Sequence, residues 1–193
     1  VTCVSPRSPW RGHALVPADL RPLRNWLVGR RSLTARLVAA CSSFSVAPLY
    51  EGLAVPHRDE ARLLGLRPGQ LARVRQVCLV CDGRPAVYGH TVVPLAPRHR
   101  FDRVFRGLGG RPLGHTLFAD PRIRRGPLRF CRVDRRHPLG ARAQAALATE
   151  LPAGGRPLRA PLWARRSLFA GPGKQVLVSE VFLPGLPPLP AAA

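Results

Sequence analysis

Two strand-like runs that meet at an Asp-Gly pair constrain this chain more than any other feature. Residues 71–81 and 86–93 are rich in Val, Leu and other residues that suit a pleated surface, and they flank Asp82-Gly83. A two-residue Asp-Gly link marks a tight hairpin, because both linking residues must tolerate positive φ. Pro94 closes the second run. A second hairpin is predicted near the C-terminus, where residues 163–170 and 175–183 flank Gly171-Pro-Gly173. Further strands are predicted at residues 43–50 and 129–133.

Helical spacing appears between these runs. Leu20, Leu23, Trp26 and Leu27 recur at helical intervals. Ser32 is placed to cap a helix over residues 33–40, with Leu33 and Leu37 on one face. Shorter helices are predicted over 59–66, 100–108 and around 113–118. Hairpins mixed with helices, without β-α-β spacing, predict an α+β fold around an antiparallel sheet. At 193 residues the chain suits a single domain. That domain is drawn at 20–186, after a loose leader over 1–19 and before a disordered tail over 187–193. Residues 134–160, rich in Arg, Pro, Gly and Ala, read as an insertion or excursion with a short helix at 141–151.

The charge pattern is less informative than its size suggests. The formal net charge is +21, from 31 basic and 10 acidic residues. Such a balance ordinarily points to nucleic acid or an anionic surface. Yet Lys174 is the one lysine; the other basic residues are arginines scattered along the chain. No nucleic-acid motif or aromatic platform accompanies them, so a solvated basic surface is the plainer reading. That field would also attract a small dianion. No apolar run is long enough to span a membrane, and residues 1–20 lack a signal-peptide core. A cytoplasmic protein with no membrane insertion and no nucleic-acid partner is expected, acting as a monomer.

Two charged residues interrupt apolar strand faces. Side chains alternate along a strand, so Val176, Val178, Glu180 and Phe182 share a face. Arg75 likewise shares a face with Val77, Leu79 and Cys81. A buried, unpaired charge is very costly. Either Arg75 and Glu180 neutralise each other directly, or both line a cavity in which Arg75 grips an anion with its bidentate fork.

Other candidate sites are weaker. Cys78 and Cys81 form a C-x-x-C, but no second pair or nearby histidines complete a zinc site. Strand parity also sends them to opposite faces. The five cysteines form no disulfide framework. None of the histidines pairs with another at metal-ligand spacing, so no metal is expected. His90 shares a strand face with Ala86, Tyr88 and Val92. Gly109-Gly-Arg-Pro-Leu-Gly114 precedes a helical pattern and could aim backbone N–H groups at an anion, although it is no nucleotide phosphate loop.

Taken in order, several blocks resemble the chorismate pyruvate-lyase family. They are Trp26-Leu27 with Ser32-Leu-Thr-Ala-Arg36; Arg75 with Asp82-Gly83 and Pro85; Gly89-His-Thr-Val-Val-Pro94; Leu108-Gly with Pro112-Leu-Gly114 and Leu117-Phe118; Trp163-Ala-Arg-Arg-Ser167; and Ser179-Glu-Val-Phe-Leu-Pro184. The resemblance implies about six antiparallel strands, helices covering one face, and a buried ligand cavity. It implies conversion of chorismate to 4-hydroxybenzoate and pyruvate, the first committed step of ubiquinone biosynthesis, without a cofactor. By the same resemblance, Arg75 and the Leu113–Gly114 backbone would bind the ring carboxylate. Leu33 would lie at the ligand, where relatives have methionine, and Glu180 would face the ligand hydroxyl as the catalytic residue. His90 stands where arginine is usual and is a candidate accessory residue for the leaving enolpyruvyl carboxylate. The rival reading is a non-enzymatic effector-sensing domain of similar fold that binds small anions.

Overall fold

The computed structural model describes residues 9–12, 21–95, 111, 113, 117, 120–148, 160–172 and 174–189. The central hairpin forms at the predicted place. Strand β2 (Ala72–Cys81) and strand β3 (Arg84–Pro94) join through Asp82 and Gly83. Their φ values are 48° and 73°, the positive pair that a two-residue hairpin needs. β1 (Phe44–Ala54) pairs with the outer edge of β2. The C-terminal hairpin of β6 (Leu162–Gly171) and β7 (Lys174–Phe182) adds to the other side, with β7 against β3. β4 (Arg124–Arg125) and β5 (Arg129–Val133) both pair with β6. The result is one seven-stranded, fully antiparallel sheet, in the order β1-β2-β3-β7-β6-β4 with β5 also on β6. The predicted six strands are all present; the two-residue β4 carries too little pattern to be read from sequence.

Helices pack on both faces of the sheet, which corrects the expectation of cover on one face. Central strands β2 and β3 are buried on both sides, so both faces need apolar cover. Helices α1 (Arg21–Val28) and α2 (Leu33–Ala40) cover the face carrying Val77, Leu79 and Phe182. Ser32 caps α2 as expected, accepting a bond from the Ala35 amide at 3.3 Å. Trp26, Leu27 and Leu37 are almost fully buried there; each leucine contributes roughly 1.5–3 kcal/mol. The other face carries Cys78, Tyr88 and Val181 and is covered by α4 (Pro138–Ala148). The short α3 (Arg58–Leu63) joins β1 to β2.

Three peripheral segments make core contacts. Leu139, Ala143 and Ala146 of α4 lie in the core, so the helix within the 134–160 stretch packs on the sheet. In the stretch read as a leader, Trp10 is buried and Arg11 bridges to Phe130. In the tail, the Pro187 carbonyl accepts a bond from the Trp26 indole at 3.1 Å, and Leu189 packs on the α1–α2 core. The predicted helix at 100–108 falls outside the described residues. Leu113 and Leu117 are helical and buried.

Candidate active site

Strand register puts four charged residues around one pocket. Gly89 of β3 lies opposite Glu180 of β7, and Glu180 lies opposite Arg165 of β6. One step along, Arg75 of β2 lies opposite Thr91. Paired residues in a sheet point to the same face. Arg75, Glu180 and Arg165 therefore project from one face of the sheet and line one pocket together with Arg125 of β4. Leu33 and Thr34 at the start of α2, and Leu113, form other parts of its wall. Gly89 adds no side chain to that wall. The pocket encloses about 60 Å³ of water-accessible space, room for several waters.

The two residues singled out from the strand pattern do not neutralise each other. Glu180 is paired with Arg165, whose Nε donates to Oε2 at 2.5 Å. Arg165 is fully buried. Its Nη1 donates to the carbonyls of Trp26, Leu27 and Gly29 at 2.8–3.0 Å. Those carbonyls belong to the C-terminal end of α1, where a cation is favoured. One arginine thus locks a helix end to the sheet and fixes the Glu180 carboxylate. Arg75 is also buried; its Nη2 donates to the Arg111 carbonyl at 3.1 Å, and its Nε sits 3.7 Å from Glu51. Burial pulls the Arg75 pKa down and Glu51 partly restores it.

Of the residues predicted for the site, Arg75, Glu180, Leu33 and Leu113 come together at this pocket. Gly114 lies outside the described residues. His90 does not belong to the pocket. It lies on the opposite face of β3, where its Nε2 is 3.2 Å from Glu60 and its ring stacks on His57. The reason is parity: Gly89 and Thr91 on either side of His90 face the pocket, so His90 faces away. Sequence reasoning missed Arg165 and Arg125. Arg165 carried a signal, since it shares a strand face with Trp163 and Ser167. Arg125 carried none, because a two-residue strand has no readable period.

Among the described residues, His57, Glu60 and His90 could hold a metal, with candidate ligand atoms within 4.8 Å of one another. Their contacts satisfy them in part: among the described residues His57 Nε2, His90 Nδ1 and Glu60 Oε1 are buried without a hydrogen bond. Glu60 accepts from the His57 amide at 3.1 Å and bonds the His90 ring. Burial raises the Glu60 pKa, but the His90 hydrogen bond and the two histidines outweigh it, leaving a net lowering. Cys78 and Cys81 point into different cores, as parity predicts. Cys81 meets Cys41 at 3.0 Å between sulfurs, and burial pushes its thiol up to about 12.

The family model for chorismate lyase matches residues 13–189. The chain belongs to the chorismate lyase family. A protein of Aromatoleum aromaticum named "probable chorismate pyruvate-lyase" is 52% identical over 175 residues, covering 91% of this chain and 90% of that one. One of the same name from Ralstonia nicotianae is 49% identical, covering 94% and 91%. Among solved structures, PhnF of Mycobacterium smegmatis aligns over 86% of this chain and 69% of its own, with a TM-score of 0.55 and 16% identity. The PhnF effector domain aligns over 81% of this chain and 90% of its own, at a TM-score of 0.51 and 15% identity. At that identity the likeness is one of fold. Chorismate lyase family membership rests on the sequence matches.

Proposed function

We propose that the protein is a chorismate pyruvate-lyase, converting chorismate to 4-hydroxybenzoate and pyruvate in the pocket bounded by Arg75 and Glu180. The observation that carries this reading is their separation: in a chain of this family, each has its own partner and both line one pocket.

The reaction is an elimination. The ether bond between the ring and the enolpyruvyl oxygen breaks. The hydrogen on the neighbouring hydroxyl-bearing carbon leaves as a proton, and the ring becomes aromatic. The released enolpyruvate takes a proton at its methylene carbon and becomes pyruvate. Aromatisation drives the step, so the protein's task is orientation and charge placement in a site shielded from water. Arg75, with the backbone at Leu113 and Gly114, holds the ring carboxylate. Glu180 accepts the hydroxyl hydrogen bond and stands beside the carbon that loses its proton. Arg165 keeps that carboxylate in one rotamer. Leu33 supplies apolar wall. The ligand cavity is then the pocket itself, its waters displaced by the ring. The partners are chorismate and 4-hydroxybenzoate, and the protein works as a cytoplasmic monomer without a cofactor, its product available to ubiquinone biosynthesis. No helix among the described residues is long and apolar enough to cross a membrane.

The fold likeness to the PhnF effector domain favours a second reading, a binding domain that senses a small anion. Catalysis separates the two. Purified protein with chorismate and a chelator should release 4-hydroxybenzoate and pyruvate in equal amounts over many turnovers. Stoichiometric binding of chorismate with no product would reject the lyase reading in favour of the sensor.

A further inference from the structure

Among the described residues three arginines line the pocket, and two of them have an acidic partner: Glu180 for Arg165, and Glu51 near Arg75. Arg125 has no carboxylate within salt-bridge distance among the described residues. Its contacts are neutral. Nε donates to the Ser167 hydroxyl at 2.8 Å, Nη1 donates to the Arg30 carbonyl at 3.1 Å, and the guanidinium lies 5.4 Å from the Phe169 ring centroid. These contacts hold the fork in place without cancelling its charge. Burial pushes its pKa down to about 10; Glu180 opposes that shift, while Arg165 and Arg30 add to it. It is still a cation at neutral pH. A partly buried cation without an acid is poorly stabilised until an anion arrives.

We propose that Arg125 binds a second carboxylate in this pocket, the one on the enolpyruvyl side chain of chorismate. This rests on the pocket being the active site. Chorismate is a dianion: with Arg75 assigned to the ring carboxylate and Arg165 held by Glu180, Arg125 is left for the second carboxylate. The leaving enolpyruvate carries this second carboxylate away, and 4-hydroxybenzoate retains one. Arg125 therefore discriminates substrate from product. It also sits where negative charge develops on the departing enolate, so its contribution grows in the transition state. His90, the accessory residue suggested by the sequence, cannot take this part from the opposite face of the sheet.

The test compares Arg125→Gln, Arg125→Lys and Arg75→Gln, with 4-hydroxybenzoate affinity as a measure of an intact site. Arg125→Gln should lower kcat/KM for chorismate roughly 30-fold or more, the range for removing one partner of a desolvated charge pair. It should leave the 4-hydroxybenzoate Kd unchanged. Arg125→Lys should recover part of the loss by restoring charge without the fork. Arg75→Gln should weaken both ligands. Unchanged kcat/KM in Arg125→Gln overturns the proposal, as does an equal loss for chorismate and 4-hydroxybenzoate. If Arg75→Gln leaves 4-hydroxybenzoate binding intact, the pocket is not the active site, and both readings fall together.

Discussion

Two consecutive arginines on β6 point to opposite faces of the same sheet and serve different ends. Arg165 meets Glu180 beside an open pocket. Arg166 meets Asp59 at 2.5 Å on the other face, its guanidinium 4.1 Å from the Trp10 ring centroid. Both are buried, and both pairs are short. Near Arg166 the Glu60–His90 pair repeats the pattern of a buried charged pair. Buried charge alone therefore does not mark a functional site in this protein. What distinguishes the Arg165 side is free space: Glu180 has a partner and still borders a pocket, whereas Glu60 is enclosed by the residues it bonds. The closed side ties α3 and the segment around Trp10 to the sheet. The open side holds charges ready for a ligand.

Mutations can break this contrast. The largest effect is expected at Glu180. Glu180→Gln keeps a hydrogen-bond acceptor for Arg165 but removes the charge, and should lower kcat about 10²–10⁴-fold, with a smaller loss of stability than Arg165→Ala because Arg165 keeps its three carbonyl partners. Steady-state kinetics with chorismate check this; wild-type turnover in the folded variant would remove the residue from the chemistry. Next, Arg165→Ala should reduce stability by about 3–5 kcal/mol, because it leaves a carboxylate without its partner and frees three carbonyls at the end of α1. Urea unfolding measures that loss. Arg75→Ala should cost about 2–5 kcal/mol in substrate capture, read as a fall in kcat/KM of the folded variant.

The smallest effect tests the closed side. Glu60 has a lowered pKa in the folded protein. It therefore binds its proton less readily folded than unfolded. Its stabilising contribution is present above the ordinary carboxylate range and is lost as pH falls through the folded value. Glu60→Gln should flatten the acid limb of the stability–pH curve and cost about 1–3 kcal/mol near neutrality. The kcat of the folded variant should stay near wild type. A kcat loss as large as that of Glu180→Gln would mean that the two faces are not separate.

The hairpins were legible because strand patterning and turn chemistry are local. Asp82-Gly83 demands positive φ, and the alternation around Glu180 and Arg75 sets which residues share a face. The capped helix at Ser32 was legible for the same reason. The 138–148 helix was harder to place: its Ala-rich sequence has only a weak apolar stripe, and its burial depends on the bare second face of β2 and β3 above it. The chain-long order of blocks carried the family and, with it, the expected role of Glu180.

The sequence by itself determined that Arg75 and Glu180 each stand on an apolar strand face, and that such charges need compensation. It could not choose the partners. Pairing between strands distant in sequence decided that, bringing Arg165 to Glu180 and Glu51 to Arg75 and leaving the pocket between them. The same pairing turned His90 away and brought Arg125 in from a strand too short to announce itself. Face is a local property of a strand, set by its period of two. Neighbourhood across a sheet depends on register and strand order, which form only when the chain folds.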